Sequence, residues 1–138
     1  MNQLSSQPHL VNLVHKSSEN GDITFFENDD LKSFYSKRFF WISNVPEGSI
    51  RGVHAHRKEN QVLVCLKGKV IVSLESVEGK QSEFVLDRES QGLIVPCMHW
   101  QEIKFSENCI LMVFADREYS EEDYIRDKTT FHEFRSPI

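Results

Sequence analysis

Residues 61–74 constrain the fold more than any other stretch of the chain. Gln61–Leu66 (QVLVCL) and Lys69–Leu74 (KVIVSL) are apolar, β-branched runs separated by Lys67-Gly68. Runs this short are poor helices in isolation, and a glycine-containing turn between them fits a β-hairpin. The same pattern continues downstream in Ser82–Leu86, Gly92–Val95, Trp100–Phe105 and Cys109–Ala115, with turns at Glu78-Gly79-Lys80 and at Pro96. Upstream, Val11–His15, Ile23–Glu27 and Lys37–Ser43 read as strands, with turns at Asn20-Gly21-Asp22 and Val45-Pro46-Glu47-Gly48; Leu31–Ser36 is ambiguous. Short strands punctuated by Gly and Pro predict an all-β sandwich or barrel. Past Asp116 the character changes, and the acidic Glu118–Asp123 stretch with Tyr124–Phe131 is expected to form one short helix or a closing arm.

A chain of 138 residues fits a single domain over 1–138 with a core of its own. A net charge of −5 argues against nucleic acid and anionic membranes, which attract an excess of Lys and Arg. Bound phosphate would therefore need a local cluster of basic groups. Cys65, Cys97 and Cys109 are odd in number and form no CxxC pair, so a reducing cytoplasm is the expected setting. Residues 1–10 lack a basic-then-apolar leader pattern, and Cys109–Ala115 is too short to span a bilayer.

The sharpest chemical feature is Arg51-Gly52-Val53-His54-Ala55-His56. On a strand, residues i and i+2 share a face, so His54 and His56 project together. Such a pair is a metal-ligand signal or an acid/base signal; a surface pair at a strand end is the bland alternative. The spacing Gly48…His54-Ala55-His56…Gln61…Gly68 resembles the first cupin motif, in which a glutamate normally stands where Gln61 is. The second cupin motif puts a histidine five residues after a proline, and counting from Pro96 reaches Gln101. Two neutral amides at ligand positions weaken the case for a divalent metal. His99 falls near that position, and Glu59 reaches the site only if the strand register changes. Without a metal, the histidines are free to move a proton beside a carbonyl, with Gln61 available to fix a tautomer.

Lys37-Arg38 with Phe39-Phe40-Trp41, then RGVHAHRKENQVLVCLKGKV (51–70), GLIVPCMHWQEI (92–103), CILMVFA and Asp123-Tyr124-Ile125-Arg126 together resemble the sugar 3,4-ketoisomerases, a cupin group that acts on dTDP-4-keto-6-deoxyglucose. The resemblance implies a jelly-roll barrel, a homodimer, no cofactor and no metal. It also implies a 3-keto sugar product, made for an aminated deoxysugar of surface glycans such as O-antigen. On this resemblance His56 is the base that moves the proton between C3 and C4, and His54 is a second acid/base or oxygen partner. Arg51 would hold pyrophosphate, with Arg38 and Arg126 as further candidates. Tyr35, Trp41 and Trp100 would stack on the base or wall the pocket, although a core or interface role suits each equally. Gln61 and Gln101 would touch substrate. A metal-dependent cupin enzyme and a non-catalytic nucleotide-sugar binder are the alternatives.

Overall fold

A computed structural model describes residues 6–27 and 34–135. Twelve strands and one short helix run in the order β1 (His9–Asn12), β2 (Val14–Ser18), β3 (Gly21–Phe25), β4 (Arg38–Ser43), β5 (Ile50–His56), β6 (Gln61–Lys67), β7 (Val70–Ser76), β8 (Gln81–Leu86), β9 (Gln91–Val95), β10 (His99–Phe105), β11 (Ile110–Ala115), β12 (Tyr124–Ile125) and α1 (Lys128–His132). They build two five-stranded antiparallel sheets, ordered β1-β9-β6-β11-β4 and β12-β5-β10-β7-β8, and a separate β2-β3 hairpin. The jelly-roll expectation holds, with one refinement: the sheets face each other without joining edge to edge. The expected single strand Val11–His15 is split at Leu13, so that β1 pairs with β9 while β2 pairs with β3. Of the ambiguous stretch, residues 31–33 lie outside the described residues, and 34–36 carry no strand.

The inner faces of the two sheets meet in one cluster that includes Leu63, Val72, Leu74, Leu93, Ile103, Phe105, Leu111 and Val113. Each outer face is also partly covered. Phe34, Val62, Val64 and Ile94 pack behind the first sheet with Val11, Leu13 and Phe26. Ala55, Trp100, Ile125 and Phe131 pack behind the second. Double coverage explains why β6 is apolar at nearly every position, since both of its faces are buried. Cys65 and Cys109 are buried core residues, and all three cysteines are free. Among the described residues no helix is long and apolar enough to cross a membrane.

One irregularity positions the site. Opposite β10, Gln101 pairs with His54 but Glu102 pairs with Gly52, leaving Val53 as an extra residue on β5. Gly52 (φ +85°) and Val53 (φ +57°) are both left-handed, the signature of a β-bulge. For a β-branched residue such as Val53 this conformation is strained. A Cβ at position 52 would lie 3.2 Å from the Gln101 carbonyl oxygen. Gly52→Ala is therefore expected to lower unfolding free energy by about 2 kcal/mol, read from a urea titration.

Candidate active site

The bulge changes which side chains share a face. Arg51 and His54 are three apart, so a regular strand would send them to opposite sides. With one extra residue between them, both line a cavity of about 240 Å³ between the sheets, together with Gln61 from β6, Gln101 from β10, and Tyr124 and Arg126 from the C-terminal arm. Phe40, Ile42, Leu63, Ile103 and Val113 form its apolar wall. The cavity is thus the open end of the core, floored by hydrophobic side chains and rimmed by polar ones.

His54 has a defined hydrogen-bond state. Its Nδ1 lies 2.9 Å from the Gly52 carbonyl oxygen, which can only accept, so the proton sits on Nδ1. Its Nε2 then carries the lone pair and accepts from the Gln101 side-chain amide at 2.9 Å. Burial lowers the His54 pKa to about 4, with repulsion from His56 and Arg126 adding to the effect. It is a neutral, desolvated imidazole whose lone pair is held by an amide. The Gln101 carbonyl oxygen is buried and has no partner.

His56 stands beside it, ring centroids 4.9 Å apart and nearly perpendicular. The i, i+2 expectation therefore holds, but the surroundings differ. Only 5% of His56 is exposed, and it is set between two carboxylates. Asp123 Oδ2 lies 3.4 Å from Nδ1 and Glu59 Oε2 lies 3.6 Å from Nε2. Gln61 Nε2 donates to Glu59 at 2.6 Å and approaches His56 Nε2 at 3.4 Å, which makes it the amide that orients this ring. Asp123 also accepts from the backbone N–H groups of Lys58 and Glu59, at 2.8 and 3.1 Å. Burial pulls the His56 pKa down, and the Asp123 charge pulls against it. The Tyr124 ring contacts both imidazoles, at 4.9 Å from His54 and 4.4 Å from His56.

Glu59 does reach the site, by the change of register that this required. Glu59 precedes β6, where the chain turns off the strand register, and its carboxylate is buried against the Arg38 guanidinium at 3.0 and 3.3 Å. Burial pushes the Glu59 pKa up, and the bonds from Gln61 and Arg38 oppose this.

Several other expected site residues sit elsewhere. Arg38 is not on the cavity wall; its Nη2 donates to both oxygens of Glu59, its Nε is buried without a partner, and Phe40 and Tyr119 lie against it. Trp41 alternates with the inward Phe40 and Ile42 on β4, so it faces out and is 60% exposed. Tyr35 is likewise exposed and outside the cavity. Trp100 is buried on the outer face of its sheet, against Phe131. Its neighbour Gln101 faces in, because adjacent strand residues point to opposite faces. His99 is turned onto its own loop, with Nδ1 3.0 Å from the Cys97 carbonyl oxygen. The sequence reading missed Asp123 as the partner of His56. Its only local signal was membership of the Asp-Tyr-Ile-Arg segment.

The four cupin-motif positions supply two imidazoles and two neutral amides, with no anionic ligand among them. Both amides turn an N–H donor toward an imidazole, and the two carboxylates near His56 lie at opposite ring nitrogens. Among the described residues, the group of three potential ligands whose atoms cluster is His15, Asp22 and Glu89, near the β2-β3 hairpin and away from this cavity. The donor set at His54 and His56 suits proton transfer better than coordination.

Comparison with known proteins gives the family. The family model described as FdtA, WxcM-like, C-terminal, matches residues 6–136. The chain belongs to the FdtA, WxcM-like family. Within it, the TDP-4-oxo-6-deoxy-α-D-glucose-3,4-oxoisomerase of Aneurinibacillus thermoaerophilus is 35% identical over 130 residues, covering 94% of this chain and 93% of the relative. The sugar 3,4-ketoisomerase QdtA of Thermoanaerobacterium thermosaccharolyticum, solved with TDP, superposes with a TM-score of 0.86 at 32% identity, over 91% of this chain and 92% of that one. WlaRA of Campylobacter jejuni, a TDP-fucose-3,4-ketoisomerase, superposes at 0.86 with 26% identity, over 94% and 96%. The protein is accordingly a sugar-nucleotide 3,4-ketoisomerase with the cupin-like fold of this family.

Proposed function

We propose that this FdtA, WxcM-like isomerase moves the keto group of a TDP-4-keto-6-deoxyhexose from C4 to C3 by metal-free proton transfer, with His54 as the base. The observation that carries the assignment is the His54 Nε2 lone pair, deprotonated and at the cavity wall, with the proton fixed on the other nitrogen by Gly52. The role first given to His56 passes to His54, because His56 lies behind the wall between Asp123 and Glu59.

In the reaction, substrate displaces the Gln101 amide from Nε2, and His54 takes the C3 proton. The C3–H electron pair becomes the C3=C4 double bond, and the former C4 carbonyl oxygen gains the charge. A proton then passes from the C3 hydroxyl to that oxygen. The His54 imidazolium returns its proton to C4, leaving the ketone at C3. Gln101 is suited to this step, because its unpartnered buried carbonyl oxygen can accept a sugar hydroxyl. The Glu121 carboxylate favours the transient imidazolium, while His56 and Arg126 oppose it. Arg51 and Arg126, both on the cavity rim, are suited to the pyrophosphate, whose charge would also raise the His54 pKa in the complex.

Because His54 in the free enzyme titrates at about 4, its base form persists throughout the neutral range. The kcat/KM profile is expected to stay flat from neutrality down to about pH 5 and to fall only as the pH approaches 4. An acid limb near 6.5, the ordinary histidine value, would point to an exposed base instead. The decisive test is incubation with TDP-4-keto-6-deoxyglucose in deuterated water, followed by NMR. A 3-keto product supports the reading, and deuterium at its C4 reports exchange of the His54 imidazolium with solvent before the proton is returned. Binding without exchange would make the protein a binder.

We further infer a homodimer formed through the outer face of the first sheet. Phe39 (64% exposed) and Trp41 (60%) lie there beside an apolar groove of about 620 Å³ lined by Phe25, Leu66 and Met112. Free cysteines agree with a cytoplasmic setting. The 3-keto product is suited to amination on the way to a surface glycan.

A further inference from the structure

Glu75 is a buried carboxylate far from the proton-transfer groups. It projects from β7 onto the outer face of its sheet, beside Trp100 of the neighbouring strand. Its Oε2 accepts from His132 Nε2 at 2.8 Å and from Arg135 Nη2 at 3.1 Å. Lys128 Nζ lies 3.9 Å from its Oε1. All three basic residues belong to the C-terminal arm, and Arg135 also donates from Nε to the Val77 carbonyl at 2.6 Å.

The other end of the same arm is in the active site. Tyr124 and Ile125 pair with His56 and Ala55 of β5. Only Arg126 and Asp127 separate this short strand from α1, whose first turn is capped by the Asp127 carboxylate. The Arg126 side chain is 54% exposed, with its fork on the Glu121 carboxylate and its plane over the Tyr124 ring. Packing does little to hold such a side chain, so its position depends on where the arm's backbone is fixed. Ile125 and Phe131 anchor the arm by burial. Glu75 anchors it by charge and hydrogen bonds, drawing Lys128 and His132, four residues apart on α1, to one carboxylate.

We propose that Glu75 is a positioning residue of the isomerase, a clasp that sets the C-terminal arm so that Tyr124 and Arg126 stand at the cavity rim. The inference rests on the proposed function only for its kinetic readout. Glu75→Gln keeps the shape and removes the charge. Its KM for TDP-4-keto-6-deoxyglucose is expected to rise about ten-fold with kcat within about three-fold, the scale of one lost charge-assisted hydrogen bond. Hydrogen exchange at the amides of residues 124–132 should accelerate while β6 and β11 remain protected. Glu75→Asp, which retains the charge, should recover most of the change in KM.

His132→Ala and Arg135→Ala remove the donors from the solvent side and must reproduce the effect, including in the event that Glu75→Gln does not fold. A lower Tm with unchanged KM, or unchanged exchange at 124–127, would overturn the proposal. If the unmodified protein does not turn over this substrate, the proposed function fails, and the exchange data alone still decide whether the clasp exists.

Discussion

Isomerisation by the His54→Asn protein is expected to fall by about 1,000-fold in kcat, the middle of the range for loss of a positioned general base. Asparagine approximates the imidazole's size and can still donate to the Gly52 carbonyl, but it has no basic nitrogen. TDP binding should survive within about three-fold, because the basic rim of Arg51 and Arg126 is untouched. Calorimetric titration with TDP alongside the NMR assay separates the two effects. His56→Asn is expected to be less severe in proton exchange and more severe in folding. It removes the ring that Asp123 and Glu59 enclose and leaves their charges facing each other across a buried gap. If His56→Asn abolished C4 deuteration while His54→Asn retained it, the two histidines would have to exchange roles.

The second large effect concerns stability. Arg38→Ala is expected to lower unfolding free energy by about 3 kcal/mol, since it strips the cation from a carboxylate that is 3% exposed. A simple phosphate ligand on the surface would give almost no such loss, so the experiment distinguishes the sequence expectation from the observed ion pair. The deficit should also depend on pH. Burial already raises the Glu59 pKa, and losing Arg38 raises it further above the unfolded value of 4.5. In the variant the folded state therefore holds a proton that the unfolded chain releases, and stability falls as pH rises. Urea titrations at pH 5 and pH 8 should show the larger deficit at pH 8. Glu59→Gln in the Arg38→Ala background removes the stranded charge and should recover part of the loss at pH 8.

The features legible in the sequence were those set by neighbours along the chain. Strand after strand could be read from alternation and turn residues, because pleating and left-handed turns are local properties. The shared face of His54 and His56 followed from a spacing of two. The amides at Gln61 and Gln101 signalled a site poorly furnished for a metal, since ligand chemistry is a property of side-chain type. The family was legible as well, because its motifs are contiguous segments in a fixed order.

Tertiary pairing decided the remainder. Arg51 joins His54 only because β10 imposes a bulge at Gly52 and Val53. Arg38 meets Glu59, and Asp123 meets His56, across 21 and 67 residues of chain respectively, and no local pattern encodes contacts at that separation. Trp41 and Trp100 fell outside the cavity because alternation fixes that neighbours point oppositely, but not which face looks inward. That choice is made by whichever surface the opposing sheet or the C-terminal arm covers. The sequence by itself specified the chemistry available to the site; the folding of one sheet over the other selected which of those groups meet, and so which imidazole lines the cavity.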